Sequence, residues 1–192
     1  MSFIKQQFIE AKELLDAFLS DDHNFMLIEQ AGNIMAEAIR NQHKIISCGN
    51  GGSMCDAMHF AEELSGVFRE NRHPLPAIAI SDPSYLTCTG NDYGFESVFS
   101  RFVEAVGKQG DVLLTISTSG NSINVIKAAQ VAKNKGIKVV GLTGKTGGKL
   151  AELCDVEIRA PHSAYSDRIQ ELHIKIIHSL ILTVEHKLSA QQ

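Results

Sequence analysis

Long apolar runs, paired cysteines and an excess of basic charge are all missing from this 192-residue sequence. No window approaches the roughly 18 consecutive apolar residues of a membrane-spanning helix, so a membrane is not an expected partner. The four cysteines, Cys48, Cys55, Cys88 and Cys154, include no CxxC pair. Each lies in or beside an apolar stretch, which reads as a set of small buried thiols in a reducing compartment. Lys and Arg number 18 against 22 Asp and Glu; with no basic run to follow a phosphate backbone, nucleic acid is not an expected ligand. Residues 1–7 lack a basic segment leading into an apolar one, and the expected location is cytoplasmic. No internal repeat, low-complexity stretch or linker interrupts the chain.

What is present is enough for one core. Apolar residues make up 44% of the sequence, and a chain of this length is expected to form a single domain, residues 1–192, without help from disulfides. Over residues 2–20, Ile4, Phe8, Ala11, Leu15 and Phe18 recur at helical steps. A second helix, capped by Asp22 or Asn24 and carrying Phe25, Ile28, Ile34 and Met35, is expected to run to about residue 41. From residue 42 the pattern changes to short apolar runs ending in Gly, Ser or Asn, at 44–48, 77–81, 112–117 and 138–143, with a shorter run at 156–159. Helix-length segments at 53–68, 95–106 and 122–135 alternate with them, and a last helix is expected over 166–188. The alternation predicts an α/β fold, a doubly wound sheet of about five parallel strands with helices on both faces. The two leading helices and an almost wholly apolar last helix offer more surface than such a sheet can cover, which suggests packing onto another subunit.

In doubly wound sheets ligands bind beyond the carboxyl ends of the strands. Two strand ends here carry the same chemistry: Gly49-Asn50-Gly51-Gly52-Ser53 after the first run, and Ser117-Thr118-Ser119-Gly120-Asn121-Ser122 after the third. Glycines allow close backbone approach, and hydroxyls with free amides at a helix N-terminus bind an anion without Lys or Arg. Ser and Asn are also ordinary N-caps, so either loop alone fits a cap equally well; two in one sheet favour a phosphate. Nucleotide motifs fail: Gly49-Asn50-Gly51 is followed by Met54 where the dinucleotide fingerprint needs its third glycine, and Gly144-Lys145-Thr146 has Val139 where a P-loop needs its first.

His59 and Glu63 lie four residues apart, one helical turn on one face, where they can share a metal or a substrate or form a simple surface pair. In the apolar last helix Gln170 and His178 are eight residues apart, close enough for long side chains to converge. His173 reads as a core histidine.

The runs Ser47–Ser53, Asp56–Leu64, Gly90-Asn91-Asp92, Ile116–Ser122 and Asp167-Arg168-Ile169-Gln170-Glu171 resemble those of bacterial phosphoheptose isomerases, members of the SIS (sugar isomerase) family. The likeness runs nearly end to end. It implies that Ser117, Thr118, Ser119 and Ser122 hold a phosphate, and that Asn50, Gly51, Gly52, Ser53, Glu63, Asn91, Asp92, Asp167 and Gln170 line the sugar site. It further implies one zinc per subunit on His59, Glu63, Gln170 and His178, with Glu63 and His178 as the proton-transfer pair. The implied reaction converts sedoheptulose 7-phosphate to D-glycero-D-manno-heptose 7-phosphate through an enediol, for ADP-heptose and lipopolysaccharide core synthesis, in a homotetramer. Two other readings share the loops: a non-catalytic SIS protein that binds the bacterial replication initiator, and a sugar-phosphate sensor. An intact Glu63 with His178 argues for the enzyme.

Overall fold

A computed structural model describes residues 2–189. Met1 and residues 190–192, which the single-domain expectation includes, lie outside the described residues. Helices α1 (Phe3–Leu19) and α2 (His23–Arg40) lead into strand β1 (Ile45–Gly49), helix α3 (Gly52–Ser65), strand β2 (Ala77–Ala79), helix α4 (Pro83–Tyr93) and helix α5 (Val98–Val106). Strand β3 (Val112–Ser117), helix α6 (Ile123–Asn134), strand β4 (Lys138–Thr143), the short helix α7 (Gly148–Ala151), strand β5 (Val156–Arg159) and helix α8 (Ser166–Ser189) complete the order, with one 3-10 turn, Phe95–Ser97, leading into α5. All four strand pairings are parallel, in the order β2-β1-β3-β4-β5.

Period-two alternation in the strands builds two apolar layers from one sheet. Ile45, Val112, Leu114, Ile116, Val140, Leu142 and Ile158 face α1, α2, α3 and α8. Ile46, Cys48, Leu113 and Val139 face α5, α6 and α7. Burial on both sides explains why β1 and β3 read as continuous apolar runs in the sequence. The order reverses at β1: β2 lies on one side of it and β3 on the other. The crevice at this reversal is where a doubly wound sheet takes its ligand, and both glycine- and serine-rich loops open onto it.

Some sequence expectations need correction. The apolar pattern of the sequence does not predict helix α4. Thr89 is its only buried residue, so it has little periodicity to read; it is started by the Asp82 carboxylate, which accepts from the Tyr85 amide at 2.7 Å, and by proline at its first position. Helix α7 is one turn long, too short for a periodic pattern. Strand β2 stops at Ala79 and helix α3 at Ser65, earlier than expected. Cys48 is buried, but Cys55 and Cys88 are exposed and Cys154 is half-buried. Along α1, Leu14 and Phe18 are buried while Ile4 and Phe8 remain exposed. Helix α8 is less uniformly covered than its composition suggested, since Glu171, Lys175 and Ser179 form an exposed stripe.

Candidate active site

Helix α3 begins directly at the end of β1, and this turn places its side chains beside the crevice. Gly51 sits at φ 56°, ψ −123°, a conformation that only glycine adopts readily. Gly52 follows with no Cβ because the Gln170 amide of α8 occupies that space: a Cβ would lie 2.7 Å from both Nε2 and Oε1. Asn50 ties this loop to the next one. Its amide and that of Asn124, in the first turn of α6, exchange hydrogen bonds at 2.9 Å in each direction.

The second loop, between β3 and α6, holds Ser117, Thr118, Ser119 and Ser122 around the N-terminus of α6. Ser117 Oγ donates to Ser122 Oγ at 3.1 Å, and Ser119 Oγ accepts from the Asn121 amide at 3.1 Å. Ser122 is the N-cap of α6, yet its side chain makes no capping bond. The Val125 amide donates to Asn124 Oδ1 at 3.0 Å; the amides before it at this end are open to an anion. Gly120, at φ 64°, passes so close to Gly147 that a Cβ would fall on the Gly147 carbonyl oxygen. The turn after β4 clamps the loop from behind: the Leu150 amide donates to Gly120 O at 3.0 Å and the Lys149 amide to Asn121 Oδ1 at 3.2 Å.

Across the crevice, α3 and α8 bring His59, Glu63 and His178 together, one donor atom from each lying within 4.8 Å of the others. His59 Nε2 is 3.2 Å from Glu63 Oε1 and 3.2 Å from His178 Nε2. Bond lengths of about 2.0–2.1 Å in tetrahedral zinc sites separate neighbouring donors by about 3.4 Å, so this donor set fits such an ion. Burial pushes the His178 pKa down, and the adjacent His59 adds to this, outweighing the Glu63 carboxylate. Its imidazole is therefore neutral near pH 7 and able to accept a proton or a metal. Phe68 packs on the His178 ring at 5.4 Å between centroids.

Gln170 and Asp167 share a cleft of about 410 Å³ with His59, Gly52 and Asp56. The structure thus places Gln170 beside the cluster, with its amide against Gly52. Asn91 and Asp92 occupy the exposed last turn of α4, where Asn91 Nδ2 donates to Asp92 Oδ1 at 2.7 Å; their side chains bond within their own helix. His173 is a core residue, fully buried, with Nε2 2.8 Å from Thr143 O.

Two residues in this region had no role assigned from sequence. Asn124 joins the loops, and Asp56 faces the cleft with Oδ2 buried and unpartnered, its pKa raised to about 6 by desolvation, with His59 pulling the other way. For Asp56 a signal existed: positions 52, 56, 59 and 63 fall on one helical face. No local pattern reveals a pairing between residues 74 positions apart.

Comparison with known proteins identifies the family. The family model of the SIS domain matches residues 7–144. Phosphoheptose isomerase of Vibrio cholerae serotype O1 is 58% identical over 186 residues, 97% of this chain and 97% of the relative. That of Glaesserella parasuis serovar 5 is 58% identical over 94% of each chain. Among solved structures, the phosphoheptose isomerase of Neisseria gonorrhoeae superposes with a TM-score of 0.88 at 41% identity, covering 95% of this chain and 97% of the other. The Francisella tularensis enzyme gives 0.87 at 34% identity, covering 97% and 100%. The chain belongs to the phosphoheptose isomerases of the SIS-domain family.

Proposed function

We propose that this chain interconverts sedoheptulose 7-phosphate and D-glycero-D-manno-heptose 7-phosphate in the cytoplasm, as one SIS domain over residues 1–192, supplying the precursor of ADP-heptose for the lipopolysaccharide core. The observation that carries the reading is the convergence of His59, Glu63 and His178 beside two anion-binding loops at the sheet's reversal point. A non-catalytic binding protein or a sensor needs the loops but has no use for a proton-transfer pair.

In this reading Ser117, Thr118, Ser119 and Ser122 hold the phosphate with the amides of α6. Asn50, Gly51, Gly52, Ser53, Asn91, Asp92, Asp167 and Gln170 line the sugar. One member of the pair Glu63 and His178 takes a proton from C1 of the open-chain ketose, and the other returns one at C2, passing through a cis-enediol. Zinc, one ion per subunit, would be held by His59, Glu63, Gln170 and His178, and Lewis-acid polarisation of the sugar carbonyl is the chemistry it would supply. Glu63 is then asked to serve two roles. A carboxylate bound to a cation is a weaker base, so its share in the metal site and its share in proton transfer oppose each other.

The same reading includes a homotetramer, and the uncovered surface supports assembly. Phe3, Ile4 and Phe8 of α1 are exposed, and a groove of about 580 Å³ between α1 and α8 runs along Phe8, Ala11, Leu15 and Ile174 to His178. A second subunit seated there would exclude water from His178.

The test is wash-in of solvent deuterium at C1 and C2 with Glu63→Gln and His178→Asn, alongside elemental analysis of the purified protein. Turnover should fall by about 10²–10⁴-fold in each variant, and the position of residual exchange assigns base and acid. Near-normal turnover in both variants refutes the assignment.

A further inference from the structure

The segment after α3 contains a side chain that touches neither loop nor cleft yet bonds to the elements carrying both members of the proton-transfer pair. Helix α3 ends at Ser65 without the left-handed cap residue that commonly satisfies terminal carbonyls; Gly66 sits at φ −96°. Two of those carbonyls are taken by Arg72. Its Nη2 donates to Glu63 O at 2.7 Å and its Nη1 to Leu64 O at 2.9 Å. Nη1 also reaches Gly66 O at 3.3 Å and His73 O at 3.1 Å, holding residues 66–73 in a closed turn. The remaining donor, Nε, bonds Glu185 Oε1 of α8 at 2.7 Å. Both side chains are largely shielded, at 17% and 18% exposure.

Each contact bears on the site. Glu63 is the residue whose carbonyl Arg72 caps. A cation at a helix C-terminus also complements the helix dipole. Glu185 lies seven residues, two turns, beyond His178 on the same face of α8. Phe68, which packs on the His178 ring, belongs to the turn that Arg72 closes. The planar fork of a guanidinium makes these bonds at once in fixed directions, which an ammonium cannot do.

We propose that Arg72, with Glu185, is a positioning residue that sets the separation of α3 and α8 and so the approach of Glu63 to His178. The proposal rests on the reading of that pair as the proton-transfer groups. Loss of the strut lets the two helix ends drift apart while the substrate-binding loops after β1 and β3 stay in place. Turnover should then suffer and substrate binding should not.

The experiment measures isomerisation of sedoheptulose 7-phosphate by the full-length protein at a temperature where circular dichroism shows every variant folded. In Arg72→Ala, kcat is expected to fall about 10²-fold, with KM within about twofold of the parent. Arg72→Lys should recover only part of the loss, and Glu185→Gln, which keeps the carbonyl contacts, should lose about tenfold in kcat. Millimolar guanidinium should raise the turnover of Arg72→Ala and leave Glu63→Ala unchanged. A kcat within twofold of the parent in both Arg72→Ala and Glu185→Gln, or a loss carried by KM alone, overturns the proposal. If Arg72→Ala does not fold, Glu185→Gln decides by the same criteria. Glu63→Ala and His178→Ala are assayed in parallel: inactive pair variants beside a fully active Arg72→Ala sink the strut alone, whereas active pair variants sink the catalytic reading beneath it.

Discussion

Lowering the pH should unfold this protein partly through one histidine far from any solvent. His173 is fully buried, its Nε2 is 2.8 Å from Thr143 O, and its Nδ1 has no hydrogen-bond partner. Desolvation takes its pKa from 6.5 to about 4, against the smaller opposing pull of the Thr143 carbonyl. The folded state therefore binds its proton less readily than the unfolded chain. Stability from this group is complete above pH 6.5 and is lost as pH falls towards 4. Integrated across that window, the loss is about 2 kcal/mol at pH 5 and about 3 kcal/mol at pH 4 relative to pH 8.

Asp56 acts with the opposite sign. Its folded pKa of about 6 exceeds the ordinary 3.8, so its protonation favours the fold as pH falls through 6, by at most about 1 kcal/mol at pH 5 once solvent screening of this half-buried group is allowed for. Two further carboxylates, the buried Asp111 and the exposed Asp155, titrate lower still. Desolvation alone would raise Asp111 and Asp155, but Lys44 and Lys138 respectively, with backbone amides, hold them below 3.8, outside the window. The parent should consequently show a shallow decline, and the His173 contribution emerges by difference. Urea unfolding of the parent and His173→Gln from pH 8 to pH 4 is the assay. The variant keeps an amide donor for Thr143 O without a group that titrates, so its curve should lack the decline. Asp56 is present in both chains and cancels. Parallel curves for the two proteins would refute the buried neutral histidine.

Two glycines should separate stability from activity. Gly120→Ala adds a side chain at φ 64° and onto the Gly147 carbonyl, so unfolding free energy should drop by at least about 2 kcal/mol and inorganic phosphate should bind more weakly; parent-like binding in a calorimeter would contradict the phosphate loop. Gly52→Ala meets only the flexible end of Gln170, so unfolding free energy should change by less than about 1 kcal/mol while kcat/KM falls by about tenfold or more. Unchanged kcat/KM would remove Gln170 from the site. For the tetramer, light scattering and specific activity over a dilution series should fall together, and a fully active monomer would exclude shared sites.

The parts of this molecule that the sequence discloses are those governed by neighbours along the chain. Strands β1 and β3 are apolar at successive positions because both faces of the sheet are covered, and that burial leaves a continuous run to read. His59 and Glu63 meet because a helix returns to the same face after one turn. Helix α4 escapes the same reasoning, since it is held by its cap and proline rather than by an apolar stripe. The convergence of Gln170 and His178 on α3 was open at the sequence level for another reason: eight residues along α8 leave about 80° between the two side chains, and which of them faces α3 depends on how the helices pack. The packing itself rests on contacts that no window contains. Arg72 reaches Glu185 across 113 positions, and Asn50 reaches Asn124 across 74. These long pairings join the two halves of the site, one at the loops and one at the helices. A variant that breaks either should therefore show its effect in the chemistry at a distance from the change, as a shift in kcat for the helix strut and in phosphate affinity for the loop pair.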